Sequence, residues 1–206
     1  MSAGPLKIET HNQYESPPFG PSLVHTDPLV QFREWFKVAQ SPLNPEQGGS
    51  SVTTPTFTPK SRVLEPEAMS LATATAAGVP STRALLLKEV DQLGFVFFTN
   101  YTSRKSKELL ENPHAALGFY WRETHQQVRV VGRVEKLEAD RSDQYCHSRP
   151  LNSQLGAWAS PQSQVIGEDE LAQRLKLVEE KFGTNEFKEK EIPRPDFWGG
   201  WRVVPE

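Results

Sequence analysis

Hydrophobic residues near the start of the chain recur with the period of a helix. The apolar stripe consists of Leu29, Phe32, Phe36 and Val38. Asp27 precedes this stripe and is a favoured N-cap residue, while Pro28 suits the first helical position because its ring holds φ near the helical value. The pattern predicts an amphipathic helix of roughly three turns that ends near Gln40.

Farther along the chain the hydrophobic period changes to two. Short apolar or alternating runs, separated by turn-forming segments such as AAGVP and DQLG, occupy residues 70–75, 82–88, 95–99, 115–121, 127–137 and 198–204. Few helical stretches separate them, so a parallel sheet with crossover helices is disfavoured. The sequence therefore predicts a mainly β protein with flanking helices, built as a small antiparallel barrel.

Two short segments between the strands have helical signals. Ser103 is suited to cap a helix over residues 104–111, and this helix should stop before Pro113 because the residue preceding a proline is displaced from the helical region. Asp140 is suited to cap a second helix that runs to about residue 148. We expect both helices to lie against the barrel.

The segment after these helices changes character twice. Residues 151–167 show no clear period and are predicted to be irregular. A longer helix follows, ended by Gly183, and its apolar stripe consists of Leu171, Leu175, Val178 and Phe182. A long irregular segment of this kind is often functional.

The domain organisation follows from composition along the chain. Residues 1–26 are polar, rich in proline and without an apolar period, which predicts a flexible N-terminal arm. Residues 41–61 are rich in Pro, Gly, Ser and Thr, which predicts a loop or linker. We expect a single domain over residues 27–206.

Composition excludes several classes of protein. A net charge of −3 disfavours nucleic-acid binding, which needs clustered cations. The one cysteine, Cys146, forms no internal disulfide and offers no Cys-rich metal site, which favours a reducing compartment. No apolar run approaches the roughly 18 residues of a membrane span, and the first residues resemble neither an export nor an import signal. We therefore expect a cytoplasmic protein without a metal site.

Two cations at the start of a predicted helix are candidate anion ligands. Arg104 and Lys105 follow the Ser103 cap, where the positive end of the helix dipole disfavours further positive charge. A bound phosphate would explain their placement, because it accepts hydrogen bonds from free N–H groups and from both side chains. The alternative is that both are solvated surface charges.

Predicted strands carry further candidates. RALLLK places Arg83 and Lys88 five residues apart, on opposite faces of a regular strand, so they share one pocket only through a bulge or strong twist. Both equally suit the points where a strand emerges into water. Gln127 could offer its amide to a heteroaromatic ring, although a strand glutamine is more often exposed.

The run DQYCHSRPLNS contains a possible second anion site. Tyr145 and Arg149 are four apart and share a helix face, and Ser153 follows beyond Pro150 in a predicted loop. Phenol, guanidinium and hydroxyl groups converging there would bind an anion, while an ordinary helix end is an equal alternative. The WGGW sequence at residues 198–201 is compatible with close backbone approach or with core packing.

Six segments, in order along most of the chain, resemble the pyridoxine (pyridoxamine) 5′-phosphate oxidase family. They are DPLVQFREWF, RALLLK, FFTNYTSRKSKEL, FYWRETHQQVRVVG, YCHSRPLNSQLGAWASPQS and PRPDFWGGWRVVP. The resemblance implies an FMN-binding split barrel, an antiparallel barrel that forms a homodimer with FMN in clefts between the subunits. An interface site of this kind can gather residues that the two faces of one strand separate.

The resemblance also implies residue roles. The residues expected to contact FMN are Arg83, Ala84, Leu85, Leu86, Leu87, Lys88, Phe98, Thr99, Arg104, Lys105, Gln127, Gln162 and Ser163. The residues expected to bind the 5′-phosphate of the substrate are Lys88, Tyr145, Arg149 and Ser153. No protein side chain is implied as a catalytic nucleophile, because the flavin carries the chemistry.

The activity implied by the resemblance is oxidation of pyridoxine or pyridoxamine 5′-phosphate to pyridoxal 5′-phosphate. Hydride passes from C4′ of the substrate to N5 of the flavin, and oxygen then reoxidises the flavin to give hydrogen peroxide. The family pattern continues past the last strand into an FWQG…RLHDR segment, whereas this sequence stops at Glu206. The alternative expectation is therefore a protein that binds FMN and pyridoxal phosphate with little or no turnover.

Overall fold

The computed structural model describes residues 18–41, 63–182 and 192–206. The described residues divide into two compact units, one drawn from the ranges 1–66 and 120–127 and the other from the ranges 67–119 and 128–206. Most of the predicted arm and loop, residues 1–17 and 42–61, lies outside the described residues. Both therefore stay predictions.

The first unit is organised around helix α1 (Pro28–Gln40). The Asp27 carboxylate accepts hydrogen bonds from the backbone N–H groups of Leu29 and Val30, which confirms the predicted cap. Phe32 is buried and its ring packs 5.8 Å from the ring of Trp121. The indole N–H of Trp121 donates to the Pro66 carbonyl at 2.9 Å, so the one polar atom of this buried ring is hydrogen-bonded.

A seven-stranded sheet runs in the order β2-β1-β5-β6-β7-β4-β3. Its strands are β1 (Ala68–Ala74), β2 (Pro80–Leu86), β3 (Glu89–Val90), β4 (Phe95–Asn100), β5 (His114–Trp121), β6 (Gln126–Lys136) and β7 (Trp198–Pro205). Antiparallel pairing joins β1 to β2 and β5, β4 to β3 and β7, and β6 to β7. The strands predicted from the period of two are confirmed within two residues at each end, and only the short β3 was not predicted.

Four more helices flank the strands of the second unit. They are α2 (Arg104–Glu111), α3 (Ala139–Ser148), α4 (Leu151–Ala159) and α5 (Glu170–Phe182). The bounds of α2 are as predicted, and α5 follows its predicted stripe. Gly183, predicted to end α5, lies outside the described residues. In the described part of the chain, every helix is too short or too polar to cross a membrane.

Two local predictions about these helices were wrong, and a third was confirmed in position only. Residues 151–159 form α4 instead of an irregular segment, so Ser153 lies on a helix and not in a loop. Asp140 lies inside the first turn of α3, whose N-cap position belongs to Glu138. Ser103 does stand at the N-cap of α2, but its side chain makes no capping hydrogen bond.

The core of the second unit is formed by buried residues on both faces of the central strands. Leu71, Val96, Phe97, Leu117 and Val203 are each at most 1% exposed. Strand β4 is buried on both faces along nearly its whole length, and its edges pair with β7 and β3. Residues at the end of β4 are therefore held rigidly, and this is where the candidate site begins.

Close approach of β6 to β7 requires a glycine at residue 132. A Cβ atom there would overlap the carbonyl of Val204. We expect Gly132→Ala to reduce the free energy of unfolding by about 1–3 kcal/mol, the usual cost of overpacking. Gly156→Ala is the matched control, because open space surrounds its Cβ position on α4 and it should stabilise by about 0.5–1 kcal/mol. Urea unfolding measures both, and equal effects would contradict the packing argument.

Candidate functional site

A buried lysine lies where the end of β4 meets the start of α2. The Lys105 ammonium donates hydrogen bonds to Thr99 Oγ1 at 3.1 Å, Ser103 Oγ at 3.2 Å and Gln162 Oε1 at 3.0 Å. Only 6% of the Lys105 surface is exposed. The structure thus brings together three residues predicted to contact FMN, namely Thr99, Lys105 and Gln162.

The environment of Lys105 is unusual because its described hydrogen-bond partners are all uncharged. Burial, with a smaller contribution from the charge of Arg83, lowers the pKa of the Lys105 amine to about 8. A buried cation without a carboxylate partner is costly unless an anion compensates it. The site therefore fits a phosphate group that takes the place of one of the three uncharged acceptors and supplies the missing negative charge.

The other two predicted cations of this region are paired with Glu108. The Arg104 Nε atom donates to Glu108 Oε1 at 2.8 Å, and Arg83 Nη2 lies 3.5 Å from Glu108 Oε2. The hydroxyl groups of Thr73 and Ser81 also donate to this carboxylate. These bonds outweigh the burial of the carboxyl group and lower the pKa of Glu108 to about 2.

Glu108 supplies a negative charge that the sequence analysis assigned to a ligand. Four residues separate it from Arg104 on α2, a spacing that places the two side chains together on one helix face. This spacing could have revealed the pair from sequence. Of the cations at the start of α2, Lys105 rather than Arg104 is the one without a described carboxylate partner.

The prediction that Arg83 and Lys88 lie on opposite faces of one strand was wrong, because strand β2 ends at Leu86. Lys88 lies beyond the strand, where its backbone N–H donates to the Val96 carbonyl at 2.9 Å and its side chain is exposed. The rule of alternating faces therefore does not apply between the two residues. Arg83 is directed toward β1, donating to Thr73 Oγ1 at 2.6 Å.

A stack of three aromatic rings forms the second part of the site. The rings of Phe98 and Tyr145 are stacked with centroids 3.8 Å apart, and the ring of Trp198 lies 5.6 Å from Phe98 and nearly parallel to both. The guanidinium carbon of Arg149 lies 4.7 Å from the centroid of the Trp198 ring. Two predicted substrate ligands, Tyr145 and Arg149, are thus brought together with Phe98, a predicted FMN contact.

The Arg149 guanidinium has unused hydrogen-bonding capacity. Its Nη1 atom is buried and has no hydrogen-bond partner among the described residues. Burial raises the pKa of the Tyr145 phenol, and the charge of Arg149 opposes this shift. A cation with a free, buried donor beside a neutral phenol fits an anionic ligand.

The remaining predicted ligands are placed less decisively. Ser153 is partly exposed on α4, and Gln127 is exposed on β6 in the part of the chain assigned to the first unit. Ser163 follows Gln162 with φ of 65°, a left-handed conformation uncommon for residues other than glycine. Strained backbone of this kind is frequent at binding sites. Across the described ranges, no group of three or more His, Cys, Asp or Glu residues is arranged to hold a metal.

Comparison with known proteins identifies a family and named relatives. The family model described as pyridoxamine 5′-phosphate oxidase matches residues 58–180. The chain is 47% identical to a pyridoxine/pyridoxamine 5′-phosphate oxidase of Trichormus variabilis, over 88% of this chain and 74% of the relative. It is 48% identical to the protein of the same name from Burkholderia vietnamiensis, over 87% and 73% of the two chains.

Solved structures show the same architecture. PhzG from Burkholderia lata, in complex with tetrahydrophenazine-1-carboxylic acid, matches with a TM-score of 0.72 and 26% identity over 92% of this chain and 83% of that one. A pyridoxamine 5′-phosphate oxidase-related, FMN-binding protein from Nostoc punctiforme matches with a TM-score of 0.53 and 16% identity over 69% and 73%, which supports the fold alone. The predicted fold class, an antiparallel split β-barrel with flanking helices, is confirmed. Within that class, the chain belongs to the pyridoxine/pyridoxamine 5′-phosphate oxidase family.

The low pKa of Glu108 has a consequence for acid stability. Because its folded pKa of about 2 is below the ordinary value of 4.5, the ionised carboxylate stabilises the fold above about pH 4.5, and this contribution is lost as the pH falls toward 2. We expect Glu108→Gln to lower the free energy of unfolding at neutral pH by on the order of 1–3 kcal/mol and to reduce its fall in acid. Urea titrations across this pH range measure both.

The matched control for this prediction is Glu111→Gln, an exposed carboxylate on the same helix. It should change stability by less than about 0.5 kcal/mol at every pH. If Glu108→Gln and Glu111→Gln have the same pH profile, the buried carboxylate does not have the role described.

Proposed function

We propose that this protein is an FMN-dependent oxidase that forms pyridoxal 5′-phosphate. The observation that carries the proposal is the pair of cations, Lys105 and Arg149, each held by uncharged groups and each able to bind a phosphate. An enzyme of this kind must bind two phosphorylated molecules, a cofactor and a vitamer. Identity of 47% to relatives named as such oxidases supports the same assignment.

The proposed reaction balances for both substrates. Pyridoxine 5′-phosphate and oxygen give pyridoxal 5′-phosphate and hydrogen peroxide. Pyridoxamine 5′-phosphate, oxygen and water give pyridoxal 5′-phosphate, ammonia and hydrogen peroxide. The chemistry supplied by bound FMN is acceptance of a hydride from C4′ and its transfer as two electrons to oxygen.

The chain contributes binding and orientation. In the proposal, the phosphate of FMN is held by Lys105, Thr99 and Gln162. Arg83 and Arg104 lie beside these residues, each paired with Glu108. Arg149 and Tyr145 hold the 5′-phosphate of the vitamer, with Lys88 and Ser153 as further ligands. Fixing both phosphates restricts the two ring systems to one relative orientation, and this lowers the entropic cost of reaching a reactive geometry.

The faces of β4 support a homodimer as part of the proposal. Phe98 and Thr99 are consecutive, so their side chains project from opposite faces of the strand. Thr99 contacts Lys105, whereas Phe98 contacts Tyr145. A second copy of the chain would allow the FMN ligands of one subunit to face the substrate ligands of the other. The lone cysteine suits a reducing compartment, so we include a cytoplasmic location in the proposal.

An aerobic turnover assay tests the proposed function. The purified protein is saturated with FMN and mixed with pyridoxine 5′-phosphate or pyridoxamine 5′-phosphate in air, and the aldehyde is trapped with an amine reagent. We expect a flavin spectrum, aldehyde formation and an equal amount of hydrogen peroxide. If the flavin-loaded protein forms no aldehyde, the chain is a binding protein and not an oxidase. If the protein cannot be loaded with FMN, both of these functions are contradicted.

The phosphate role of Lys105 predicts a specific loss of FMN affinity. Lys105→Met removes a charge-assisted hydrogen bond, so FMN binding should weaken by about 1.5–3 kcal/mol. Because the Lys105 amine has a pKa of about 8 in the free protein, wild-type affinity should decline above that pH, and the variant should lose this pH dependence. Quenching of flavin fluorescence on binding measures both effects.

Lys107→Met is the matched control, since Lys107 is an exposed lysine on the same helix. Its FMN affinity should stay within about twofold of the wild type, because exposed charges contribute little. Equal loss in the two lysine variants would indicate a general electrostatic effect and contradict the assigned site.

A further inference from the structure

Trp198 is linked by non-covalent contacts to α3, the helix that ends just before Arg149. The Trp198 carbonyl accepts a hydrogen bond from Arg194 Nη1 at 2.5 Å, and Arg194 Nε also donates to Asp143 Oδ1 on α3 at 2.6 Å. The Trp198 ring packs with Cys146, also on α3. Trp198 is 7% exposed, so its position is determined by these contacts and not by solvent.

Arg149 is held at both ends of the residue. Gln154 on α4 donates from Nε2 to the Arg149 carbonyl at 2.8 Å, which fixes the backbone at the end of α3. The guanidinium group lies over the Trp198 ring, with Cζ 4.7 Å from the centroid. No described ion pair includes Arg149, and its charged group is supported by the Trp198 ring together with a hydrogen bond to the Cys146 thiol.

Support by a ring differs physically from support by a carboxylate. A carboxylate would use the in-plane N–H donors of the guanidinium and would compete with an anionic ligand for them. An aromatic face attracts the cation from above its plane and leaves those donors available. The buried, unpartnered Nη1 atom of Arg149 agrees with this second arrangement.

We infer that Trp198 is a positioning residue that orients the Arg149 guanidinium toward the 5′-phosphate of the vitamer. The inference rests on the proposed function for the identity of the ligand. It assigns to the WGGW sequence a part in phosphate specificity beyond core packing. Trp198 acts through Arg149 and does not itself contact the reacting atoms.

Equilibrium binding to the FMN-loaded protein tests this role. The probe is 4-deoxypyridoxine 5′-phosphate, which lacks the oxidisable hydroxyl group, and its unphosphorylated form is the reference ligand. Isothermal titration calorimetry compares the wild type with Trp198→Leu, Trp198→Phe and Arg149→Ala, and with the double variant Trp198→Leu/Arg149→Ala. Trp158→Leu is the matched control, because the Trp158 ring carries a different cation, Lys181, at 4.6 Å.

The expected pattern is specific to the phosphate. Trp198→Leu should weaken binding of the phosphorylated probe by about tenfold and leave the unphosphorylated ligand within about twofold, and Trp198→Phe should retain most of the affinity. In the Arg149→Ala background, Trp198→Leu should cause no further loss, because its effect passes through the missing guanidinium. Trp158→Leu should match the wild type.

Several results would overturn the inference. They are unchanged affinity in Trp198→Leu, equal weakening of both ligands, and additive losses in the double variant. Thermal unfolding of each variant identifies a loss of fold, and Trp198→Phe then provides the comparison with an intact ring. If the wild type binds neither ligand, the vitamer site of the proposed function is wrong, and the inference fails with it.

Discussion

The site depends on how three neighbouring cations are compensated, two at the start of α2 and one on β2. Glu108 is buried and accepts hydrogen bonds from Arg83 and Arg104, while Lys105 is buried against uncharged oxygen atoms. A single carboxylate thus satisfies two guanidinium groups and leaves one ammonium group uncompensated. Burying such a charge is unfavourable. The end of β4 and the start of α2 hold the lysine in place despite this cost. An anion bound beside Lys105 would compensate the buried positive charge.

In the proposed function, Arg149 is left available for an anion in a different way. Its guanidinium group is stacked on an indole ring, and this ring lies nearly parallel to the rings of both Phe98 and Tyr145. Both arrangements place a cation in a largely uncharged environment without a neutralising carboxylate. Strand β4 links them, because consecutive residues of this strand contact Tyr145 and Lys105.

The error at residues 151–159 shows what determines a helix in this protein. The segment contains Asn, Ser and Gly, which have weak helix propensity, so local preference did not favour α4. Leu155 of α4 packs in a buried cluster with Phe182 of α5 and with Ile192. Tertiary burial of this kind outweighs a small propensity cost. The local hydrophobic period therefore did not predict α4, because the helix depends on packing against residues that are distant in sequence.

The amino-acid sequence by itself determined the helices with strong apolar stripes, the positions of the main strands along the chain and the antiparallel class of the sheet. These features depend on periods and caps within a few residues, which is why α1 and α2 were predicted with their observed bounds. Resemblance to a family supplied the candidate ligands. Only the tertiary structure decided which of them meet, since Lys105 and Gln162 are 57 residues apart and Thr99 and Gln162 are 63 apart. Contacts between such distant segments depend on how the whole sheet and its helices pack, and no local pattern contains that information.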